Sequence, residues 1–195
     1  VDCFRDLKHL LPYADMPLQH ISDNILKAMN RKISKAEICK LIEALRKAKP
    51  EIALRTTFIT GFPGETEENY KELLNFVKEY KFARLGVFEY SPEPGTPAAQ
   101  MPDQVPAETA RKRSASIMKA QEKISAALNA ALVGKKLEII VDCPAGRGIF
   151  SGRSYMDAPE IDNTVIFTST KKIQPGSRLK LEITESSSYQ LSGKV

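Results

Sequence analysis

Three short stretches hold the side chains best suited to chemistry. The first runs from Asp15 to His20 and ends in Gln19 and His20. The second opens with Arg55 and ends in Gly61-Phe62-Pro63-Gly64-Glu65-Thr66, and the third brings Glu89, Tyr90, Ser91 and Glu93 together. An imidazole such as His20 serves as a base or hydrogen-bond donor, or is simply a satisfied structural residue. A guanidinium flanked by Leu54 and Phe58 either holds a carboxylate or phosphate or closes an internal salt bridge. Glycines at a strand-to-helix turn let a ligand approach the backbone, and the helix N-terminus behind them favours negative or polar atoms; the same turn also serves structure alone. No Ser/His/Asp arrangement, Walker loop or dinucleotide fingerprint occurs. Cys3, Cys39 and Cys143 are too widely spaced for a metal or iron–sulfur ligand set and odd in number for a disulfide framework. No metal site is expected from them, and Cys39 reads as a buried thiol on a helix face.

These residues need elements to position them. Each stretch ends a β-like run and precedes a helical pattern, which is the layout of an α/β barrel with its chemistry at the C-terminal strand tips. Ser22 is an N-cap candidate for a helix with apolar Ile25, Leu26 and Met29. Ser34 and Glu37 form a capping box for a helix with Ile38, Leu41, Ile42 and Leu45 on one side, stopped by Pro50. Residues 52–60 and 84–90 read as strands. Between them Thr66 caps a helix whose stripe is Tyr70, Leu73, Leu74 and Val77. Helix and strand alternating in this way imply right-handed parallel βαβ units. A Pro-rich loop over 91–106 leads to a long helix over 107–132, with Ile117, Ala120, Ile124, Leu128 and Leu132 as its stripe and Gly134 as its stop. From Lys136 onward five short strands separated by turns predict a small antiparallel barrel. The expected division is 1–133 and 134–195.

The same blocks carry a resemblance. Asp15-Met16-Pro17-Leu18-Gln19-His20-Ile21-Ser22-Asp23 with Met29-Asn30-Arg31, Arg55 through Thr66, and Tyr90-Ser91-Pro92-Glu93 through Thr96 resemble the radical S-adenosylmethionine (SAM) methylthiotransferases. The five-strand tail is similar to the TRAM domain that ends those enzymes. Pro17-Leu18-Gln19-His20 and the tail segment from Gly152 to Asp162 resemble the branch that modifies a ribosomal protein rather than tRNA adenosine. The resemblance implies an α/β fold: the second half of a radical SAM barrel, followed by an OB-like TRAM barrel. It implies SAM and two 4Fe-4S clusters as cofactors. The implied reaction inserts a methylthio group at the β-carbon of an aspartate of the twelfth small-subunit ribosomal protein. Ile59 would lie against the adenine, Gln19 and Arg55 would point from neighbouring strand tips to the cofactor's polar end or the target carboxylate, and Phe88 and Tyr90 would close the third side. The family's C-x-x-x-C-x-x-C loop does not occur in these 195 residues. The chain is therefore expected to be a fragment that binds neither cluster and is inactive alone. A tRNA adenosine methylthiotransferase and a non-catalytic ribosome- or RNA-binding module are the alternatives.

Composition fits this reading. The chain is 42% hydrophobic and 27% charged with a net charge of +5, ordinary for a cytoplasmic globular protein, and no apolar run approaches the roughly 20 residues that span a bilayer. From Gly134 to Val195 nine Lys and Arg face seven Asp and Glu, so the tail is nearly neutral and RNA contact through it would be weak. Asp157, Glu160 and Asp162, beside Tyr155 and Pro159, form an acidic patch that suits a basic ribosomal protein, or else an ordinary solvated turn.

Overall fold

The structure, a computed structural model, describes residues 1–195. It divides into two compact units, Val1–Gln121 and Glu122–Val195. After a short α1 (Asp2–Asp6), the first unit alternates β1 (Tyr13–Gln19), α2 (Asp23–Ala28), α3 (Lys35–Ala48), β2 (Ala53–Thr60), α4 (Glu67–Tyr80) and β3 (Arg84–Glu89). The three strands pair in parallel in the order β1-β2-β3.

Side chains alternate across β2. Leu54, Thr56, Phe58 and Thr60 are buried, while Arg55, Thr57 and Ile59 remain partly exposed. The buried face packs on helices. Phe58 meets Phe76 and Phe82 edge-on, with ring centroids 6.3 and 6.0 Å away, and Ile38, Ile42, Leu73 and Val77 are fully enclosed. The sheet thus covers one face and leaves the other open, the face that a barrel turns inward.

Both expected caps on the longer helices are present. Ser34 and Glu37 close a capping box on α3, and Thr66 closes one with Asn69 on α4. Four local readings are corrected. Ser22 occupies the N-cap position of α2, but its hydroxyl donates to the Glu72 carboxylate instead of capping. Cys39 is partly exposed rather than buried. Leu41 is exposed, and in α4 Phe76 takes the buried place expected of Leu74.

Helix α5 (Ala107–Ala130) holds the largest correction. Of the expected stripe only Ile117 is buried within the helix; Leu128 is exposed. The buried line is instead Ala110, Arg113, Ile117 and Gln121, continued in the second unit by Ser125 and Asn129. The reason is hydrogen bonding. Gln121 donates to the Phe82 carbonyl at 2.9 Å, and Ser125 to the Ser188 carbonyl at 2.7 Å. Asn129 donates to the Ser187 carbonyl at 2.8 Å. Polar side chains that satisfy buried carbonyls outcompete apolar ones with no groove to fill.

The second unit is a closed five-stranded barrel of β4 (Lys136–Gly146), β5 (Ile149–Ser154), β6 (Thr164–Thr168), β7 (Arg178–Ser186) and β8 (Gln190–Lys194), in the order β4-β5-β6-β8-β7. All its pairs are antiparallel except β6 with β8, which closes the barrel in parallel. Ile139, Val141, Phe150, Val165, Phe167, Leu181, Ile183 and Leu191 fill it. Gly152 is required by close approach: a Cβ there would lie 2.5 Å from the Ile140 carbonyl oxygen. No helix is long and apolar enough to cross a membrane.

Candidate functional site

The register fixes where the singled-out residues lie. Gln19 pairs with Phe58, Ile59 with Phe88, and Thr60 with Glu89; the Tyr90 N–H donates to the Thr60 carbonyl at 2.8 Å. Gln19, Ile59, Phe88 and Tyr90 therefore share the C-terminal end of the sheet. Gln19 follows a register shift in β1 and holds a left-handed backbone (φ 72°), an uncommon state for glutamine. Phe88 is 64% exposed and pairs with the partly exposed Ile59 on the open face, where the two form an apolar wall. Tyr90 packs edge-to-face on Phe62 at 5.2 Å, with its hydroxyl buried and unpaired.

Arg55 is not at the tip. It pairs with Asp15 and Arg84, three residues before Phe58, which places it about 10 Å along the strand from the level of Gln19. Its Nη1 bonds Asp15 Oδ2 at 3.0 Å, so the internal salt bridge is the alternative the structure adopts. His20 also takes its structural alternative. It is fully buried, and its Nδ1 accepts the Ser22 N–H at 3.0 Å, which leaves Nε2 to carry the proton. Burial above all pushes its pKa down to about 4; Arg113 adds to this and Glu72 opposes it.

Behind His20 lies a buried charged pair. Glu65 Oε2 lies 3.9 Å from His20 Nε2 and accepts the Gly61 N–H at 2.6 Å. Glu65 Oε1 bonds Arg113 Nη1 at 2.8 Å, and the same nitrogen donates to the Glu65 carbonyl at 3.0 Å. Burial raises the Glu65 pKa, although the Gly61 amide and Arg113 pull against it. The Arg113 guanidinium also sits 5.6 Å from the Tyr70 ring centroid.

In the second unit the acidic patch is not what its letters suggest. Asp157 is buried and accepts the Ser154 hydroxyl at 2.5 Å, and Asp162 accepts the Ala158 N–H at 2.9 Å. Both tie the loop together. Its exposed tip is Pro159-Glu160-Ile161, with Ile161 70% exposed and Tyr155 partly exposed. Elsewhere on the barrel a groove of about 540 Å³ is lined by Arg147, Lys171, Lys194, Ser169 and Thr170, with no Asp or Glu side chain among its walls. One of its cations, Lys194, also reaches Glu182 at 3.7 Å.

Comparison with known proteins adds to this geometry. The Radical SAM superfamily matches residues 2–77 and the TRAM domain matches residues 133–195. The ribosomal protein uS12 methylthiotransferase RimO of Carboxydothermus hydrogenoformans is 48% identical over 186 residues, 95% of this chain and 42% of that protein. The protein of the same name from Geotalea uraniireducens is 46% identical over 197 residues, 100% of this chain and 44% of its own length. Over nearly its whole length the chain is thus similar to radical SAM methylthiotransferases, with a Radical SAM match followed by a TRAM match. It spans less than half the length of the curated relatives it matches. The Escherichia coli coproporphyrinogen III oxidase HemN overlaps 55% of this chain and 25% of its own at TM-score 0.44 and 23% identity, too loosely to add weight.

A methylthiotransferase needs SAM and iron–sulfur clusters, and the two are matched differently by these residues. No group of three or more His, Cys, Asp or Glu side chains that could hold a metal ion is gathered. The open tip with Ile59, Phe88 and Gln19 has the apolar wall and polar edge that an adenosyl group requires. Glu65 stands in the second of the stretches singled out, but its partner Arg113 is not foreseen from the sequence. Arg113 stands in an Arg-Lys-Arg run that reads as a solvated helix face. The available signal was spacing: Ala110, Arg113, Ile117 and Gln121 recur at three and four residues.

Proposed function

We propose that this chain is part of an enzyme that methylthiolates an aspartate of ribosomal protein uS12, and that the end of its parallel sheet seats SAM. The observation that carries the reading is identity of 48% to a uS12 methylthiotransferase across 95% of the chain. The open Ile59–Phe88 wall supports the seat. When bound, SAM and the first cluster would supply the hydrogen-abstracting radical, and the second cluster would supply the methylated sulfur. The chain's own residues bind and orient. Ile59 and Phe88 offer apolar surface to the adenine, Gln19 offers an amide at the rim, and Tyr90, braced by Phe62, bounds the third side. Arg55, tied to Asp15, acts from below by holding β1 and β2 in register. On the barrel, Tyr155 and Glu160 form the contact for a basic protein, with Asp157 and Asp162 holding that loop in shape.

A second reading, action on tRNA, has one observation in its favour. The basic groove of Arg147, Lys171 and Lys194 suits phosphates better than the nearly neutral charge of the whole tail implies. Mass spectrometry of uS12 and of bulk tRNA nucleosides, from cells with and without the gene, separates the two. Loss of one methylthio group from uS12 on deletion is the expected result. Unchanged uS12 together with loss of a methylthioadenosine overturns the first reading in favour of the second.

A further inference from the structure

The N-terminal half of α5 lies outside both matched regions, yet it meets the strand-tip loop at several points. Thr60 Oγ1 donates to the Ala110 carbonyl at 3.0 Å. Gly61 has room only because it lacks a side chain: a Cβ there would come under 3.0 Å from Ala110 Cβ. Gly64 N–H donates to the Asp103 carbonyl at 3.0 Å, in the segment that leads into α5. Glu65 then bridges the loop, taking the Gly61 N–H on one oxygen and Arg113 on the other. Arg113 reaches the Glu65 carbonyl as well, so one guanidinium grips both the backbone and the side chain of the residue that closes the loop.

A buried ion pair is a poor source of net stability, because removing both charges from water costs about what their attraction returns. It is a good source of geometry, because Arg113 Nη1 holds the Glu65 carbonyl and carboxylate together while Nη2 of the same rigid plane reaches Glu67 at 3.5 Å. Gly61 and Gly64 are both left-handed, at φ 79° and 80°, states that a free loop would leave easily. We propose that Arg113 is a positioning residue. Acting through Glu65, it locks the Gly61–Glu65 loop in the shape that presents the sheet end to SAM, so α5 completes the cofactor site from beyond the segment that matches the Radical SAM superfamily. The inference rests on the reading that this sheet end seats SAM.

The test uses Arg113→Met and Arg113→Lys in the protein from its complete reading frame. It reads amide hydrogen exchange by residue and SAM binding by equilibrium dialysis. Arg113→Met is expected to speed exchange at Gly61 and Gly64 at least about ten-fold, while the amides of Phe58 and Val77 keep their wild-type rates. SAM affinity is expected to fall by about ten-fold, the scale of a lost charged hydrogen bond. Arg113→Lys, which keeps the charge without the fork, is expected to fall between, and carries the test if the Met variant does not fold. Exchange that rises equally across β2, α4 and the loop overturns the proposal and leaves Arg113 as general support. So does a loosened loop with unchanged SAM affinity. If the wild-type protein does not bind SAM, it is the proposed function that fails, and the exchange pattern still decides whether Arg113 holds the loop.

Discussion

His20 sits where a general base would, yet burial removes that ability. With its pKa near 4 against an ordinary 6.5, it is neutral at physiological pH. Above pH 6.5 neither the folded nor the unfolded chain protonates it. As pH falls from 6.5 to about 4, the unfolded chain takes up a proton that the folded chain refuses, so stability drops, by about 3 kcal/mol in all. Glu65 beside it acts in the opposite sense. Its raised pKa returns some stability as pH falls through that value towards 4.5. Urea unfolding between pH 7.5 and 4 should therefore show a steeper loss for wild type than for His20→Asn, whose amide oxygen can still accept the Ser22 N–H. Parallel curves would mean that His20 does not titrate in this way. The acidic loop teaches the same lesson. Asp157→Ala should destabilise the barrel by about 1–3 kcal/mol through loss of its buried bond to Ser154, whereas Glu160→Lys should stay within about 0.5 kcal/mol. Thermal unfolding of each variant checks the contrast. In the sequence Asp157 and Glu160 are both acids in a polar turn. The three-residue spacing from Ser154 is the only hint that one faces inward, and spacing alone does not report burial.

Elements whose identity depends on neighbours in sequence were legible. The capping box Ser34–Glu37, the Thr66 cap and the strand around Phe58 are local patterns, and the structure holds all three, adding Asn69 as the partner of Thr66. Helix α5 was legible as a helix but not in its orientation. Its buried face is chosen by the carbonyls of Phe82, Ser187 and Ser188, which lie far off in the chain. Arg55 was misplaced for a related reason. Residue type shows that a strand carries a cation, but only the pairing with Asp15 shows its height in the sheet. The strand-tip turn separates two kinds of glycine requirement. Gly61 and Gly64 share a left-handed backbone, but Gly64 has no atom within 4 Å of a would-be Cβ while Gly61 would strike Ala110. Gly64→Ala should therefore cost about 1 kcal/mol, the backbone term alone. Gly61→Ala should cost at least about 2 kcal/mol, and Ala110→Gly placed on top of it should return the difference. Equal losses at the two glycines in denaturant unfolding would remove the steric argument.

At the scale of the whole molecule, where the second unit begins is an energetic question. The TRAM match begins at residue 133, whereas the compact unit begins at Glu122, inside α5. Between those points lie Ser125 and Asn129, whose side chains bond the carbonyls of Ser187 and Ser188 in the turn from β7 to β8, and Leu132, which packs on the barrel core. That turn has few other partners. Ser187 N–H donates to the Gln190 carbonyl, and without the helix the two serine carbonyls must find water. A small closed barrel has no free sheet edge and one continuous core, so it should fold alone, but with little stability to spare. Three hydrogen bonds and one partly buried leucine together contribute about 2–4 kcal/mol. The segment 122–195 is accordingly expected to unfold cooperatively in urea at a clearly higher midpoint than 133–195, with its last α5 turns helical by circular dichroism. Ser125→Ala with Asn129→Ala in the longer segment should bring the midpoint most of the way down to that of the shorter one. Coincident midpoints for 122–195 and 133–195 would show that the helix end adds nothing to the barrel, and would return the boundary to the place that composition marks.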